Sequence, residues 1–250
     1  MHTNKKIYFA SDQHFGAPSV EKSRLRELKF IAWLDCIKKD AEQIFLLGDL
    51  FDFWFEYGKV VPKGYIRVMA KLANLVDSGI AIHFFVGNHD LWMKDYFQKE
   101  LGIPVYYSPK LFVLGKKKFL IGHGDGLGPG DRGYKFMKKI FTNSFSKAIF
   151  RWIHPDIGVS IAQKLSIESK VLSGKEDVIF RGEKNEWLVQ YCKEVLTKKH
   201  YDFFVFGHRH LPLTIQLSQN SQYFNLGDWI NYFTYGEFDG SKFEIKKYKL

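Results

Sequence analysis

Short apolar runs, each stopped by glycine or a polar residue, recur along this chain and read as buried strands. Ile7–Ala10, Ile44–Leu47, Ile80–Val86, Phe119–Ile121 and Asp202–Phe206 are five of them. Between the first two, Leu25, Leu28, Ile31, Ala32, Leu34 and Ile37 recur at roughly helical spacing. That stripe predicts a core-facing helix over Glu21–Lys39, and with its flanking strands a right-handed βαβ unit. A second helix is predicted over Gly64–Asp77, with Ile66, Met69, Leu72 and Val76 inward and Gly79 as its stop. Pro104–Tyr107 and Leu111–Leu114 are shorter strands, and Leu213–Leu217, Gln222–Leu226 and Lys242–Tyr248 close the chain as antiparallel ones. The fold class is α/β. No linker interrupts the pattern, so residues 1–250 are expected to form one domain, with a helical insertion at about 131–180.

Composition narrows the classes. A chain of 250 residues is long enough to bury a sizeable core, and 17% of it is aromatic. No apolar run reaches the ~18 residues of a membrane-spanning helix. The polar start, Met1–Lys6, carries no secretory signal, and a cytoplasmic location is expected. Cys36 and Cys192 both fall in helical patterns far from the polar motifs, which favours reduced, packed thiols over a disulfide or a thiolate metal site. The formal net charge of +10 favours an anionic partner: a phosphorylated substrate, an acidic membrane surface or nucleic acid.

The chemistry lies where strands end. In open α/β sheets the ligand crevice lies outside the carboxyl ends of the strands. Here five ends carry Asp12-x-His14, Gly48-Asp49, Gly87-Asn88-His89-Asp90, Gly122-His123-Gly124 and Gly207-His208-Arg209-His210. A carboxylate such as Asp49 at that place is costly unless something positive meets it. Residues two apart in an extended segment point the same way, so Asp12 and His14 are expected to reach one ion together, and His208 and His210 to face one side. Oxygen and imidazole ligands without thiolate suit Mn, Fe or Zn. His89 is in position to reach a phosphate, and Asp90 to hold its imidazole. Asp52 is either a hydrogen-bond partner behind the site or a turn residue. The aromatic run Phe51–Phe55 reads as packing beneath the site loops, and His83 as structural.

The five motifs together resemble the calcineurin-like metallophosphoesterases. The resemblance implies a two-sheet β-sandwich flanked by helices and a dinuclear metal site. One ion would take Asp12, His14, Asp49 and His210. The other would take Asp49, Asn88, His123 and His208, with Asp49 as the bridge and Mn2+ favoured over Fe or Zn. Asp49, His89 and Asp90 would form the catalytic group. Gly48–Trp54, His123–Leu127 and Asp131-x-Gly133-Tyr134 are further similar to the UDP-2,3-diacylglucosamine diphosphatases of lipid A biosynthesis. In that family a helical cap holds acyl chains, and a Ser/Asn/Lys segment contacts the rest of the substrate. Substrate contacts would then be Asn88, His89, Asp131, Tyr134, Ser169, Lys170, Ser173, Lys175, His208 and Arg209. The best-known members have arginine where this chain has His89, and a small residue where it has Arg209. Arg209 is expected to restore the positive charge toward a phosphate.

Within the insertion, Met137, Ile140, Phe141, Phe145, Ala148, Ile149 and Trp152 oppose Lys135, Lys138, Lys139, Lys147 and Arg151. An amphipathic helix over Lys135–Ile153 fits a groove for acyl chains or an anionic membrane interface. Ile157–Leu165 is a second candidate helix. The positive charge clusters on this short segment, which disfavours nucleic acid.

The function expected is hydrolysis of the pyrophosphate bond of UDP-2,3-diacylglucosamine, at the cytoplasmic face of the inner membrane and with no obligate protein partner. A phosphodiesterase or nucleotide pyrophosphatase acting on a soluble substrate is the alternative within enzymes. A non-catalytic binding scaffold on the same fold is the alternative outside them.

Overall fold

The computed structural model describes residues 5–130, 132–162, 179–180 and 182–249. Two sheets face each other. The first has six strands: β1 (Lys6–Ala10), β2 (Ala41–Leu46), β3 (Ala81–Phe85), β4 (Val105–Tyr106), β10 (Thr234–Phe238) and β11 (Phe243–Lys247), in the order β11-β10-β1-β2-β3-β4. The second is β5 (Lys110–Leu114), β6 (Lys117–Ile121), β7 (Phe203–Phe206), β8 (Pro212–Ser218) and β9 (Ser221–Leu226), in the order β5-β6-β7-β9-β8. β1 to β4 are parallel neighbours, as are β6, β7 and β9, so their carboxyl ends share one rim of each sheet.

The phenylalanine content has a structural reason. Phe9, Phe45 and Phe85 of the first sheet meet Phe119, Phe203 and Phe224 of the second in one buried cluster, joined by Phe238 and Phe243. Ring centroids in that layer stand as close as 4.4 Å, between Phe224 and Phe243. Each buried aromatic side chain contributes roughly 1.5–3 kcal/mol. The outer face of the first sheet is covered by helices α1 (Val20–Ile37) and α2 (Ile66–Asp77), and that of the second by α6 (Trp187–Leu196). The short α3 (Tyr96–Leu101) packs on the first sheet through Phe97.

Two helices are turned differently from their expected stripes. On α1, Leu25 is 70% exposed, while Arg26, Glu27, Phe30 and Trp33 are buried. Arg26 goes inward because Nη2 donates to the carbonyls of His14 (2.6 Å) and Ala17 (2.5 Å). Glu27 goes inward because it accepts from the Val68 amide at 3.2 Å and from Arg24 at 2.6 Å. Polar partners in the next layer thus decided a rotation that a count of apolar residues missed. On α2, Ile66 is exposed, and Val68, Leu72 and Leu75 are buried. Cys192 is buried as expected, whereas Cys36 is exposed.

The insertion begins as two helices, not one: α4 (Arg132–Thr142) and α5 (Ser144–Trp152). Asn143 separates them, its side chain accepting from the Phe145 amide at 2.8 Å as the cap of α5. Residues 155–162 are helical too; the remainder of the expected second helix lies outside the described residues. The cap rests on an aromatic seat. Phe150 packs against Phe55 (4.8 Å) and Trp92 (4.6 Å), and the Trp92 indole donates to the Phe141 carbonyl at 2.6 Å. The run Phe51–Phe55 is therefore packing, split between the core and this seat.

Candidate metal centre

The strand ends are bound to one another through their backbones before any side chain takes part. Leu47 N–H donates to Ala10 O, Asp12 N–H to Gly48 O and His14 N–H to Asp49 O. Gly207 N–H donates to His123 O, and Trp229 N–H to Asp12 O. Asp12, His14, Asp49, His208 and His210 all have positive φ, between 47° and 70°. For residues with a Cβ this costs on the order of 1 kcal/mol or more each, and such conformations gather at functional sites. The extended geometry expected for Asp12/His14 and for His208/His210 is therefore replaced by left-handed turns. Asp12 and His14 still converge. His208 and His210 diverge: the His208 ring faces His123 at 5.2 Å, and the His210 ring stacks on His14 at 5.0 Å.

Around Asp49 the side chains form two lobes. Ligand atoms of Asp12, His14, Asp49 and His210 all lie within 4.8 Å of one another. On the other side, His123 Nε2 is 3.5 Å from Asp49 Oδ2 and 3.1 Å from Asn88 Oδ1. Asp49 Oδ2 is also 3.5 Å from His14 Nε2, so one carboxylate oxygen faces both lobes. Close approach of the loops requires glycine at 87, where a Cβ would collide with the Asp49 carboxylate.

The tautomers follow from the partners behind each ring. Nδ1 of His123 donates to the Leu47 carbonyl at 2.6 Å. Nδ1 of His210 faces Asp228 Oδ2 at 3.3 Å, and Nδ1 of His14 faces Asp52 Oδ1 at 3.4 Å. Each Nε2 is then left with its lone pair directed at the cluster. Yet His14 Nε2 and His210 Nε2 are 3.3 Å apart, and Asp12 Oδ1 is 3.3 Å from His210 Nε2, buried and without a hydrogen bond. Lone pairs aimed at one point repel unless a cation sits among them. The donor set of carboxylate, amide oxygen and imidazole, each oriented from behind, fits divalent metal.

Charge in the cluster tells the same story. Burial opposes ionisation of Asp49, but the imidazoles of His123 and His89 outweigh it and hold the carboxyl well below the usual range. Burial would lower His123, and the Asp49 carboxylate instead holds it up at about 10. A proton takes the place of a cation there. Burial and the charge of Asp49 push Asp90 up to about 8.

His89 and Asp90 are not paired as expected. Asp90 accepts from the amides of Gly87 (2.6 Å) and Leu50 (3.1 Å), fastening the third loop to the second. His89 is held from its other sides: its N–H donates to Asp49 Oδ1 at 2.8 Å, and Nδ1 lies 2.9 Å from the Asp52 carbonyl. Asp52 is thus a hydrogen-bond partner behind the site, facing both His14 and His89. Arg209 is engaged by buried Glu186 at 3.0 Å and by the Ile179 carbonyl at 2.6 Å, which offsets the charge expected to meet a phosphate. Tyr134 donates from its hydroxyl to Asp125 at 2.5 Å, with its ring 6.3 Å from His208. Asp131, Ser169, Lys170, Ser173 and Lys175 lie outside the described residues. His83 is structural: it stacks on Phe45 and hydrogen-bonds Gln43 and Tyr106.

Three residues were missed. Asp228 orients His210 and accepts from the amides of Ile230, Asn231 and Tyr232. Its signal was present, since Leu226-Gly227-Asp228 repeats Leu47-Gly48-Asp49 at another strand end. Arg26 and Glu186 had no comparable local signal.

The architecture and the acid–imidazole cluster define a metal-dependent phosphoesterase, and the profile of the calcineurin-like phosphoesterases matches residues 5–212. The chain belongs to that family. It is 37% identical over 248 residues to the UDP-2,3-diacylglucosamine hydrolase of Porphyromonas gingivalis, covering 94% of this chain and 95% of that protein. Proteins of the same name from Histophilus somni and Pseudomonas putida are 27% and 28% identical, over 90% and 89% of this chain and 92% and 90% of theirs.

Proposed function

We propose that this protein hydrolyses the pyrophosphate bond of UDP-2,3-diacylglucosamine, releasing UMP and 2,3-diacylglucosamine 1-phosphate. The observation that carries the reading is a cluster of oriented metal donors centred on Asp49, with a cap that lines an open apolar cavity. That cavity, about 220 Å³, is lined chiefly by Trp92, Ile140, Phe141, Ile149, Phe150 and Ile153 and offers an apolar wall to part of a fatty chain. The relatives' names supply the substrate.

Two divalent cations are proposed, Mn2+ first, one among Asp12, His14, Asp49 and His210 and one among Asp49, Asn88, His123 and His208. When bound, such a pair lowers the pKa of water and neutralises phosphoryl charge. The chain's own groups do the rest. Asp52 and Asp228 keep the ring nitrogens of His14 and His210 aimed. His89 is tied to Asp49 and Asp52, which fixes its ring at the edge of the cluster, and its proposed role is to donate to a phosphoryl or leaving oxygen. Asn88, Tyr134, His208 and Arg209 are proposed to position the substrate.

A peripheral position on an anionic membrane is also proposed. Trp152 is 91% and Phe145 72% exposed on α5, beside Lys147 and Arg151. Among the described residues no helix is long and apolar enough to cross a membrane. The test is UMP release from Mn2+-loaded protein given the acylated substrate, compared with UDP-N-acetylglucosamine. The expected result is turnover of the first, lost with chelator, and little of the second. Equal turnover of both would favour a soluble-substrate pyrophosphatase, and turnover of neither would leave a scaffold.

A further inference from the structure

α4 has two faces with different neighbours. Ile140 and Phe141 line the apolar cavity. Lys135, Lys138, Lys139 and Thr142 stand at i, i+3, i+4 and i+7, on one face. That face does not look away from the protein. It closes a second cavity of about 490 Å³, whose other walls are the turn Tyr107–Pro109 and the loop His123–Leu127. The volume falls in the range of small-molecule sites, roughly 300–1,000 Å³.

The cavity opens onto the metal centre through His123, the residue that faces Asp49 and Asn88. A phosphate held by that centre therefore has the basic cavity as a direction in which to extend. Of the basic wall, Lys138 is paired with Asp125 at 2.5 Å, and Lys135 bonds the Gly128 carbonyl. These contacts fasten α4 to the His123 loop. Lys139 makes no ion pair among the described residues and keeps its charge for a ligand. On the opposite wall the Tyr107 hydroxyl donates to the carbonyls of Lys94 (2.9 Å) and Met93 (3.3 Å), which holds the ring in place. A fixed aromatic ring, a neighbouring hydroxyl at Ser108 and an ammonium form a polar, base-accepting wall.

We propose that this cavity is the subsite for the nucleoside monophosphate half of the substrate, with the base against Tyr107 and anionic oxygens toward Lys139. The inference rests on the pyrophosphatase reading and assigns the two halves of the substrate to two cavities. It gives the basic stripe of α4 a role that faces the catalytic body.

The test is inhibition of aryl phosphodiester hydrolysis by Mn2+-loaded protein, with UMP and inorganic phosphate as separate inhibitors. Both reach the metals, and only UMP fills the cavity. UMP is expected to inhibit about tenfold or more below the phosphate concentration needed, as base stacking of ~1–3 kcal/mol allows. Lys139→Glu and Tyr107→Ala should each bring that ratio toward one. Lys116→Gln, in the distant β5–β6 turn, should preserve it. Mn2+ stoichiometry checks that each variant is folded. A wild-type ratio near one, or a ratio unmoved in both Lys139→Glu and Tyr107→Ala, overturns the assignment. UMP release from the lipid substrate is scored separately. If that fails while the ratio holds, the substrate reading falls and the nucleotide subsite stands.

Discussion

Asp49 and His89 sit one hydrogen bond apart and should fail differently. Asp49 Oδ2 faces both lobes of the cluster, so Asp49→Ala should abolish metal binding. His89 lies outside the seven donors proposed, although its ring also stands within 4.8 Å of ligand atoms of His14 and Asp52, so His89→Ala should keep its metal and lose ~10²–10⁴ in rate. Metal analysis beside turnover separates the two, and a fully active His89→Ala protein would remove His89 from the chemistry. The same scale shows what local reading can see. Asp12, His14, Asp49, Asn88, His123, His208 and His210 were legible because each closes an apolar run. Arg26 and Glu186 were not, because their partners are a loop carbonyl and a guanidinium distant in sequence.

At the scale of elements, β2 and β3 pack a half-buried imidazole, His83, between them. Phe45 and His83 are in register, and the ring sits where burial, aided by Lys110, lowers its pKa to about 4. The unfolded chain takes up this proton near pH 6.5, so between 6.5 and 4 it binds more protons than the folded state. His83 therefore removes stability as pH falls through that window. His83→Phe should flatten the difference in melting temperature between pH 6.5 and 4.5 relative to wild type; an unchanged slope would mean the imidazole titrates normally. α5 offers a contrasting test. Phe145 and Trp152 are exposed, so Phe145→Glu with Trp152→Glu should leave the melting point nearly unchanged and weaken cosedimentation with anionic vesicles. Undiminished vesicle binding would end the membrane proposal for this helix. Periodicity identified the helical material here, and Asn143 shows why it misplaced the ends: a cap residue outranks a continuing stripe.

For the molecule as a whole, the centre links metal, pH and stability. Without metal, His123 is held protonated, at about 10 against 6.5 unfolded. That contribution is complete below pH 6.5 and is lost as pH rises toward 10. Metal needs the same nitrogen unprotonated, so its binding should release protons near neutrality and strengthen with pH. Chelator-treated protein should lose melting temperature from pH 7 to 9, while the Mn2+-loaded form should lose less, so the gap widens. Calorimetry in buffers of differing ionisation enthalpy reads the proton release; a count of zero would contradict the protonated imidazole.

Periodicity and punctuation in the chain determined every strand but β10, the helices α1 and α2, the helical character of the insertion and the order of the acid and imidazole motifs, because strand burial and tight turns are local demands; β10, α3 and α6 were not read. Which side of each helix turns inward, that Asp90 fastens loops while Asp52 steadies the imidazoles, that the two last histidines part to opposite lobes, and that lysines of α4 face a cavity were decided only in three dimensions. Those outcomes depend on partners supplied by other elements, from Arg26 and His14, 12 residues apart, to His14 and His210, 196 apart, so local periodicity does not contain both halves of such a contact.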